Sequence, residues 1–281
     1  MLAELLETAL DAADLAARVH ANATHTRSSL KAVEKGQSDF VSEVDLAAQA
    51  AALDLIRERH PAHQILAEEE DDARGLILRP EDADPSVPLW VVDPLDGTTN
   101  FLHGHPIYAS SVGVVQGTRP LAGAVVSSAT GDRWWAMRGG GAFHNGAPIS
   151  TSTKRELRTA LIGTGFPFKS LPLLPDYLVQ MDTVLRNTAG IRRLGAASMD
   201  LCYLASGWID GFWELSLGPW DVAAGIVIVQ EAGGVVSDLH NGDVDFSRSE
   251  AYLAANSTEL HDELRALVLD QGAALARFPN D

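Results

Sequence analysis

A chain of 281 residues with 46% apolar side chains and six tryptophans can bury a sizeable core, which argues against intrinsic disorder. Its formal charge of −17 argues against direct nucleic-acid contact and against an anionic membrane surface. The same charge poses a problem for chemistry on anionic ligands, one that bound divalent cations would solve by reversing the local field. The single cysteine, Cys202, rules out an intramolecular disulfide, fits a reducing compartment, and reads as a small buried hydrophobe rather than a nucleophile. Met1 to Glu7 alternates acid with apolar residues and lacks a basic leader. No apolar run approaches the roughly 20 residues of a membrane span, so a cytoplasmic protein is expected.

Residues 2 to about 24 carry Leu2, Leu5, Leu6, Ala9, Ala13, Ala16 and Val19 near helical spacing, which predicts a first helix. Lys31 to Asp45 predicts a turn, a short extended piece, and Asp45 opening a second helix that runs to about Arg59 and stops before Pro61. Gln64 to Ala67 is a short strand that ends in the acidic run Glu68 to Asp72. Arg74 to Pro88, with three prolines and mixed charge, reads as a surface excursion. Leu89 to Val92 reads as a buried strand.

Tyr108–Val115, Leu121–Ser127 and Arg133–Arg138 follow as antiparallel hairpin strands, with turns at Gly139–Gly141 and Asn145-Gly146. The remainder alternates. Strands are expected at Ala160–Gly163, Ile191–Leu194, Gly211–Leu215, Val235-Val236 and Tyr252–Ala255. Helices are expected at Asp176–Arg186, Ala196–Ala205, Trp220–Ala232 and Glu259–Leu269. Hairpins first and mixed α/β later predict a single domain (1–281) of two lobes, 1–155 and 156–281, with a soft boundary near residues 150 to 160.

The chain is organised around Leu89 to Phe101. Asp93 and Asp96 follow the apolar run three positions apart. Pro94 lacks a backbone donor and fixes its φ, so the chain is expected to leave the sheet there. Gly97 permits a tight turn and a close backbone approach, and Thr98, Thr99 and Asn100 suit a turn or a helix N-terminus. Oxygen ligands for a hard cation thus stand directly before N–H donors for an anion. The plainer alternative is an acidic turn after a strand.

The whole string Trp90-Val-Val-Asp-Pro-Leu-Asp-Gly-Thr-Thr-Asn-Phe101 resembles the central signature of the inositol monophosphatase family. Further stretches resemble that family too. Ile65-Leu-Ala-Glu68-Glu69 is similar to the strand whose first Glu ligates metal, with Ala67 where Gly is common. Trp220-Asp221-Val-Ala-Ala-Gly225, followed by Glu231 to Asp238, resembles the second signature. Taken by themselves, the acidic run is equally a solvated loop and Asp221 equally a helix-capping acid.

The resemblance implies a layered αβαβα sandwich of the sugar-phosphatase type, in the α/β (α+β) class. It implies Glu68, Asp93, the Leu95 carbonyl, Asp96 and Asp221 as ligands for two or three Mg²⁺ ions, with Mn²⁺ the alternative. An all-oxygen set points the same way and away from zinc. It further implies a Thr98–Asp45 pair beside the attacking water, with Glu68 as the competing base, and a phosphate site at the Gly97 and Thr98 N–H groups. Gly195, Ala196, Ala197 and Glu214 are implied on the polyol side, together with Leu95, Asp96 and Asp221. Asp45 also reads as a helix N-cap and Glu214 as an exposed strand acid.

Lys35 is similar to a loop lysine of bacterial-type members, and Thr164 to Phe168 also resembles those members. His103 and His105, without a thiol or a third histidine, read as structural or substrate-facing. The expected activity is Mg²⁺-dependent hydrolysis of a small phosphorylated polyol, myo-inositol monophosphate foremost, with lithium inhibition and a homodimer implied by the resemblance. Fructose-1,6-bisphosphate, histidinol phosphate and a 3′-phosphonucleotide are the alternatives within the family. A regulatory protein binding transcription machinery is the rival of another class. An aspartyl-nucleophile phosphatase would need its two Asp two apart, which Asp93 and Asp96 are not.

Overall fold

The computed structural model describes residues 1–26, 32–36, 39–69, 77–240 and 242–269. Lys35 lies where side chains are not described, and Glu70 to Asp72 lie outside the described residues. The chain opens with helix α1 (Leu2–Ala23), the hairpin β1 (Ala32–Gly36) and β2 (Asp39–Ser42), and helix α2 (Glu43–Arg59). Besides the two-stranded β1-β2 sheet, two larger sheets and seven α-helices are present among the described residues.

The first sheet has the order β3-β4-β5-β6-β7-β8-β9, with β3 at Gln64–Ala67, β4 at Leu89–Asp96, β5 at Ala109–Gln116, β6 at Arg119–Val126, β7 at Arg133–Met137, β8 at Ala142–His144 and β9 at Ala147–Ile149. Its strands pair antiparallel, except that β3 runs parallel to β4 with Ala67 opposite Val92. The second sheet has the order β11-β10-β12-β14-β13, with β10 at Leu161–Thr164, β11 at Gly190–Arg192, β12 at Gly211–Leu215, β13 at Val235–Asp238 and β14 at Ala251–Ala255. The remaining helices are α3 (Thr98–His103), α4 (Leu174–Asn187), α5 (Ala197–Ala205), α6 (Pro219–Glu231) and α7 (Thr258–Leu269).

Side-chain alternation sorts these elements into layers, because successive strand residues face opposite sides. Trp90, Val92, Val112, Val114, Ala122 and Ala124 pack against the alanine-rich stripe of α1 and against α2. Leu89, Val91, Val115, Val125 and Trp134 face the other way, onto α5 and α6. Those two helices in turn pack on Phe212 and Ala254 of the second sheet. Its far face, through Ile162, Trp213 and Leu253, is covered by Tyr177 and Val184 of α4 and by Leu260 and Leu264 of α7. The result is the expected αβαβα sandwich.

Close packing in the middle layer depends on two glycines that pair across β5 and β6. A Cβ on Gly113 would come within 2.8 Å of Ala223 Cβ, and one on Gly123 within 2.7 Å of Ala224 Cα. Helix α6 therefore lies directly on the strand backbone, which carries its N-terminus to the end of β4.

Three sequence expectations need correction. β4 does not end at Val92; it runs on through Pro94 to Asp96. Asp93 pairs with Ser111 and Asp96 with Ala109, so two residues on β4 oppose one on β5. Pro94 sits in that bulge, where its missing N–H costs no ladder bond, and the strand continues past it. Asp45 does not cap α2. Ser42 is the cap, and Asp45, three residues on, returns a bond from its carboxylate to the Ser42 N–H. The strand expected at Ile191–Leu194 is Gly190–Arg192 instead, because β11 pairs only along the short edge of β10. Asn145 (φ 51°) and Gly146 (φ 86°) form the expected tight turn, here between β8 and β9.

Candidate active site

Register brings the first two acids together. Because Ala67 lies opposite Val92 in parallel strands, Glu68 emerges beside Asp93 at the same sheet edge, and the two side chains share a hydrogen bond. The β4 bulge turns Asp96 to the same hollow. From the other side, α6 delivers Asp221 from its first turn. One carboxylate oxygen from each of Asp93, Asp96 and Asp221 lies within 4.8 Å of the others.

A single cavity is lined by Glu68, Asp93, Leu95, Asp96, Gly97, Thr98, Gly195, Ala196, Ala197, Glu214 and Asp221. Asp45 stands behind this wall and reaches it through Thr98. His103 and His105 are exposed and line no part of it.

Each aspartate is fixed through one oxygen. Asp93 Oδ1 accepts from Leu95 N at 2.9 Å. Asp221 Oδ2 accepts from Gly218 N at 2.6 Å. Asp96 Oδ2 accepts from Ser198 N at 2.8 Å and from the Ser198 hydroxyl at 2.5 Å, at the N-terminus of α5. That arrangement orients the carboxylates toward the common hollow.

Electrostatics supply the demand for one. Burial, then the charges of Glu68, Asp96 and Asp221, push the Asp93 carboxyl well above the ordinary range. Burial, then Asp96 and Glu68, do the same to Asp221. Burial also raises Asp96, against the pull of Ser198. Crowded carboxylates in low dielectric cannot all ionise unless positive charge sits among them. Oxygen donors in this number suit Mg²⁺ or Mn²⁺, so the residues present fit the cation expected from the sequence.

Thr98 opens α3, whose cap, Gly97, has φ 89° and leaves no room for a side chain: a Cβ there would meet Ile107 O at 3.0 Å. The Thr98 hydroxyl lies 2.8 Å from Asp45 Oδ1 and 3.0 Å from Leu95 O, and its one proton is shared between them. Ser42 holds the other Asp45 oxygen with its backbone N–H at 2.9 Å and its hydroxyl at 2.5 Å. Burial raises the Asp45 carboxyl, and these bonds oppose the rise. Asn100 ties α3 to the opposite wall by donating to Leu194 O at 3.0 Å.

On the far side of the cavity, Glu214 is a partly buried wall residue rather than an exposed strand acid. Burial, then Asp96, push it up to about 8. Gly165 makes its position possible, since a Cβ there would fall 1.7 Å from Glu214 Oε1.

Sequence reasoning missed several residues that the fold brings in. His20 is fully buried on α1, and its Nε2–H donates to Pro94 O at 2.8 Å, holding the bulge between Asp93 and Asp96. Burial pushes its pKa down to about 4, so it is neutral at pH 7. Its place on the apolar stripe of α1, four residues after Ala16, was the available signal. Ser198 follows Gly195-Ala-Ala197 directly. Lys169 and Arg193 add positive charge to the cavity wall, and Asp200, also buried, stands behind Gly163. No local pattern marks these as more than surface cations and a helix acid.

A layered α/β sandwich with an acid-lined, cation-demanding cleft at the sheet edge defines a narrow class of protein. The inositol monophosphatase family model matches residues 1–273, and the chain belongs to that family. It is 40% identical over 262 residues to a putative Nus factor SuhB of Neisseria meningitidis serogroup A, covering 93% of this chain and 97% of that protein. Among solved structures it is similar to the extragenic suppressor protein suhB of Bartonella henselae, with a TM-score of 0.85 and 34% identity over 95% of this chain and 99% of that one. It is also similar to the inositol monophosphatase of Anabaena (Nostoc) sp. PCC 7120, with a TM-score of 0.79 and 30% identity over 99% and 97%.

Proposed function

We propose that this chain hydrolyses phosphate monoesters of small polyols with Mg²⁺ and water, and that myo-inositol monophosphate is the preferred ester. The observation that carries this reading is the convergence of Glu68, Asp93, Leu95, Asp96, Thr98, Glu214 and Asp221 on one cavity, with the aspartate oxygens within 4.8 Å of one another. In this reading Glu68, Asp93, the Leu95 carbonyl, Asp96 and Asp221 hold two or three ions. Bound there, Mg²⁺ supplies Lewis acidity for the phosphoryl oxygens and makes a water acidic enough to attack at neutral pH.

The protein's own groups do the rest. Gly97 and Thr98 present backbone N–H groups to the phosphate at the start of α3. The Thr98 hydroxyl accepts the attacking water's proton as its own passes to Asp45 Oδ1, 2.8 Å away. Glu68 is the competing base. Glu214, Gly195, Ala196 and Ala197 line the polyol side, where Glu214, raised to about 8, donates a hydrogen bond to a substrate hydroxyl at neutral pH.

The proposal extends to one catalytic unit of two lobes, 1–155 and 156–281, working as a lithium-sensitive homodimer. EDTA should abolish phosphate release and Mg²⁺ restore it. Asp93→Asn, which removes a charge shared with Glu68, Asp96 and Asp221, should lower kcat/KM at least about 10³-fold. Metal-independent turnover would refute the reading. A panel including fructose-1,6-bisphosphate, histidinol phosphate and a 3′-phosphonucleotide tests the preference within the family.

A regulatory role in transcription is a second reading, favoured by the name of the Neisseria relative. It predicts that Asp93→Asn leaves partner binding intact while activity disappears.

A further inference from the structure

Residues Gly165 to Ser170 cross the rim of the cavity as a strap pinned along its length. The Arg193 guanidinium lies over the Phe166 and Phe168 rings, 5.4 and 4.9 Å from their centroids. Phe168 N donates to Phe166 O at 2.8 Å, Ser170 N to Pro167 O at 3.0 Å, and Ser170 Oγ pairs with Ser216 Oγ at 2.6 Å. Between these fixed points stands Lys169.

Its ammonium is 3.7 Å from Glu68 Oε1, and its field also reaches Asp96, Asp221 and Glu214. The side chain is nevertheless 47% exposed. With the main chain pinned, the part able to move is its flexible four-carbon stem.

An ammonium and a divalent ion on the same carboxylates repel each other and compete for the same negative charge. We propose that Lys169 is a built-in counter-cation that trades places with the divalent ions, then turns its ammonium to the phosphate of the incoming ester. The proposal rests on the metal-dependent reading of this site. Before loading, Lys169 offsets the self-repulsion of Glu68, Asp96 and Asp221. After loading, its three donors need an acceptor, and the anion arriving at the rim provides one. The exchange would make the strap lysine a substrate contact only in the loaded protein.

This swap has a signature that neither a purely structural lysine nor a simple phosphate contact would give. Removing the charge should tighten the ion and loosen the anion. The test is calorimetric titration of Mg²⁺ alone into the full chain, and of inorganic phosphate into the Mg²⁺-saturated chain, for wild type, Lys169→Met and Lys169→Arg. Circular dichroism would check that all three are folded.

Losing a partly exposed pair should tighten Mg²⁺ about 3- to 5-fold in Lys169→Met. Losing a charge-assisted bond should weaken phosphate about 10-fold in the same variant. Lys169→Arg should keep both affinities near wild type. Unchanged or weaker Mg²⁺ binding in Lys169→Met, or unchanged phosphate binding, would overturn the exchange while leaving the metal-dependent reading in place. Absence of Mg²⁺ binding in the wild type would overturn both.

Discussion

His20 offers a quantitative test of how the site is supported. The ring is fully buried between Phe101 and Tyr108, donates Nε2–H to Pro94 O, and leaves Nδ1 without a partner among the described residues. Protonating Nδ1 would bury an unpaired charge, which is why its pKa falls from 6.5 to about 4. In the unfolded chain the ring takes up a proton near pH 6.5, whereas the folded protein resists until about pH 4. The neutral ring's stability is therefore fully present above pH 6.5 and is lost progressively as the pH falls toward 4.

The gap between those values corresponds to about 3 kcal/mol in all, of which about 2 kcal/mol is lost by pH 5. Urea unfolding of wild type and His20→Gln at pH 7.5 and pH 5 isolates this contribution. Glutamine can donate to Pro94 but cannot titrate, and the acid cluster cancels in the difference. The stability advantage of wild type over His20→Gln should shrink by about 2 kcal/mol between the two pH values. A difference that does not change with pH would refute the assignment of His20 as a buried neutral donor.

Two further outcomes test the scaffold. Ser198→Ala removes the hydroxyl bond to Asp96 Oδ2 but keeps the backbone one, and should weaken Mg²⁺ binding about 10-fold by calorimetry. Unchanged affinity would mean that the α5 backbone alone holds Asp96. Gly123→Ala drives a methyl to within 2.7 Å of Ala224 Cα and 2.9 Å of Val227 Cγ1. It should cost about 2 kcal/mol of overpacking, read as a lower urea midpoint at unchanged slope.

Much of this architecture is local, and local pattern shows it. The apolar spacing of residues 2 to 24 becomes α1, and Gln64 to Ala67 and Gly211 to Leu215 are the strands expected. Where the sequence misled, a tertiary partner had reversed a local rule. Pro94 ends a strand in isolation, but Ser111 and Ala109 of β5 leave a bulge that accommodates it. Asp45 suits a cap, but Ser42 takes that place, freeing the second Asp45 oxygen for Thr98.

The sequence by itself determined the element types and an oxygen-rich, hard-cation chemistry, because periodicity, proline, glycine and carboxylates act over a few residues. The local pattern also marked Asp93 and Asp96 as acids to watch, and the family resemblance added Glu68 and Asp221. Tertiary structure alone decided that they share one hollow, since that depends on the parallel register of β3 with β4 and on α6 seated against Gly113 and Gly123. The same holds for His20, Ser198 and Lys169: in sequence each is an ordinary helix or loop residue. Their importance comes from what long-range packing sets opposite them: a proline carbonyl, an aspartate oxygen and a nest of buried negative charge.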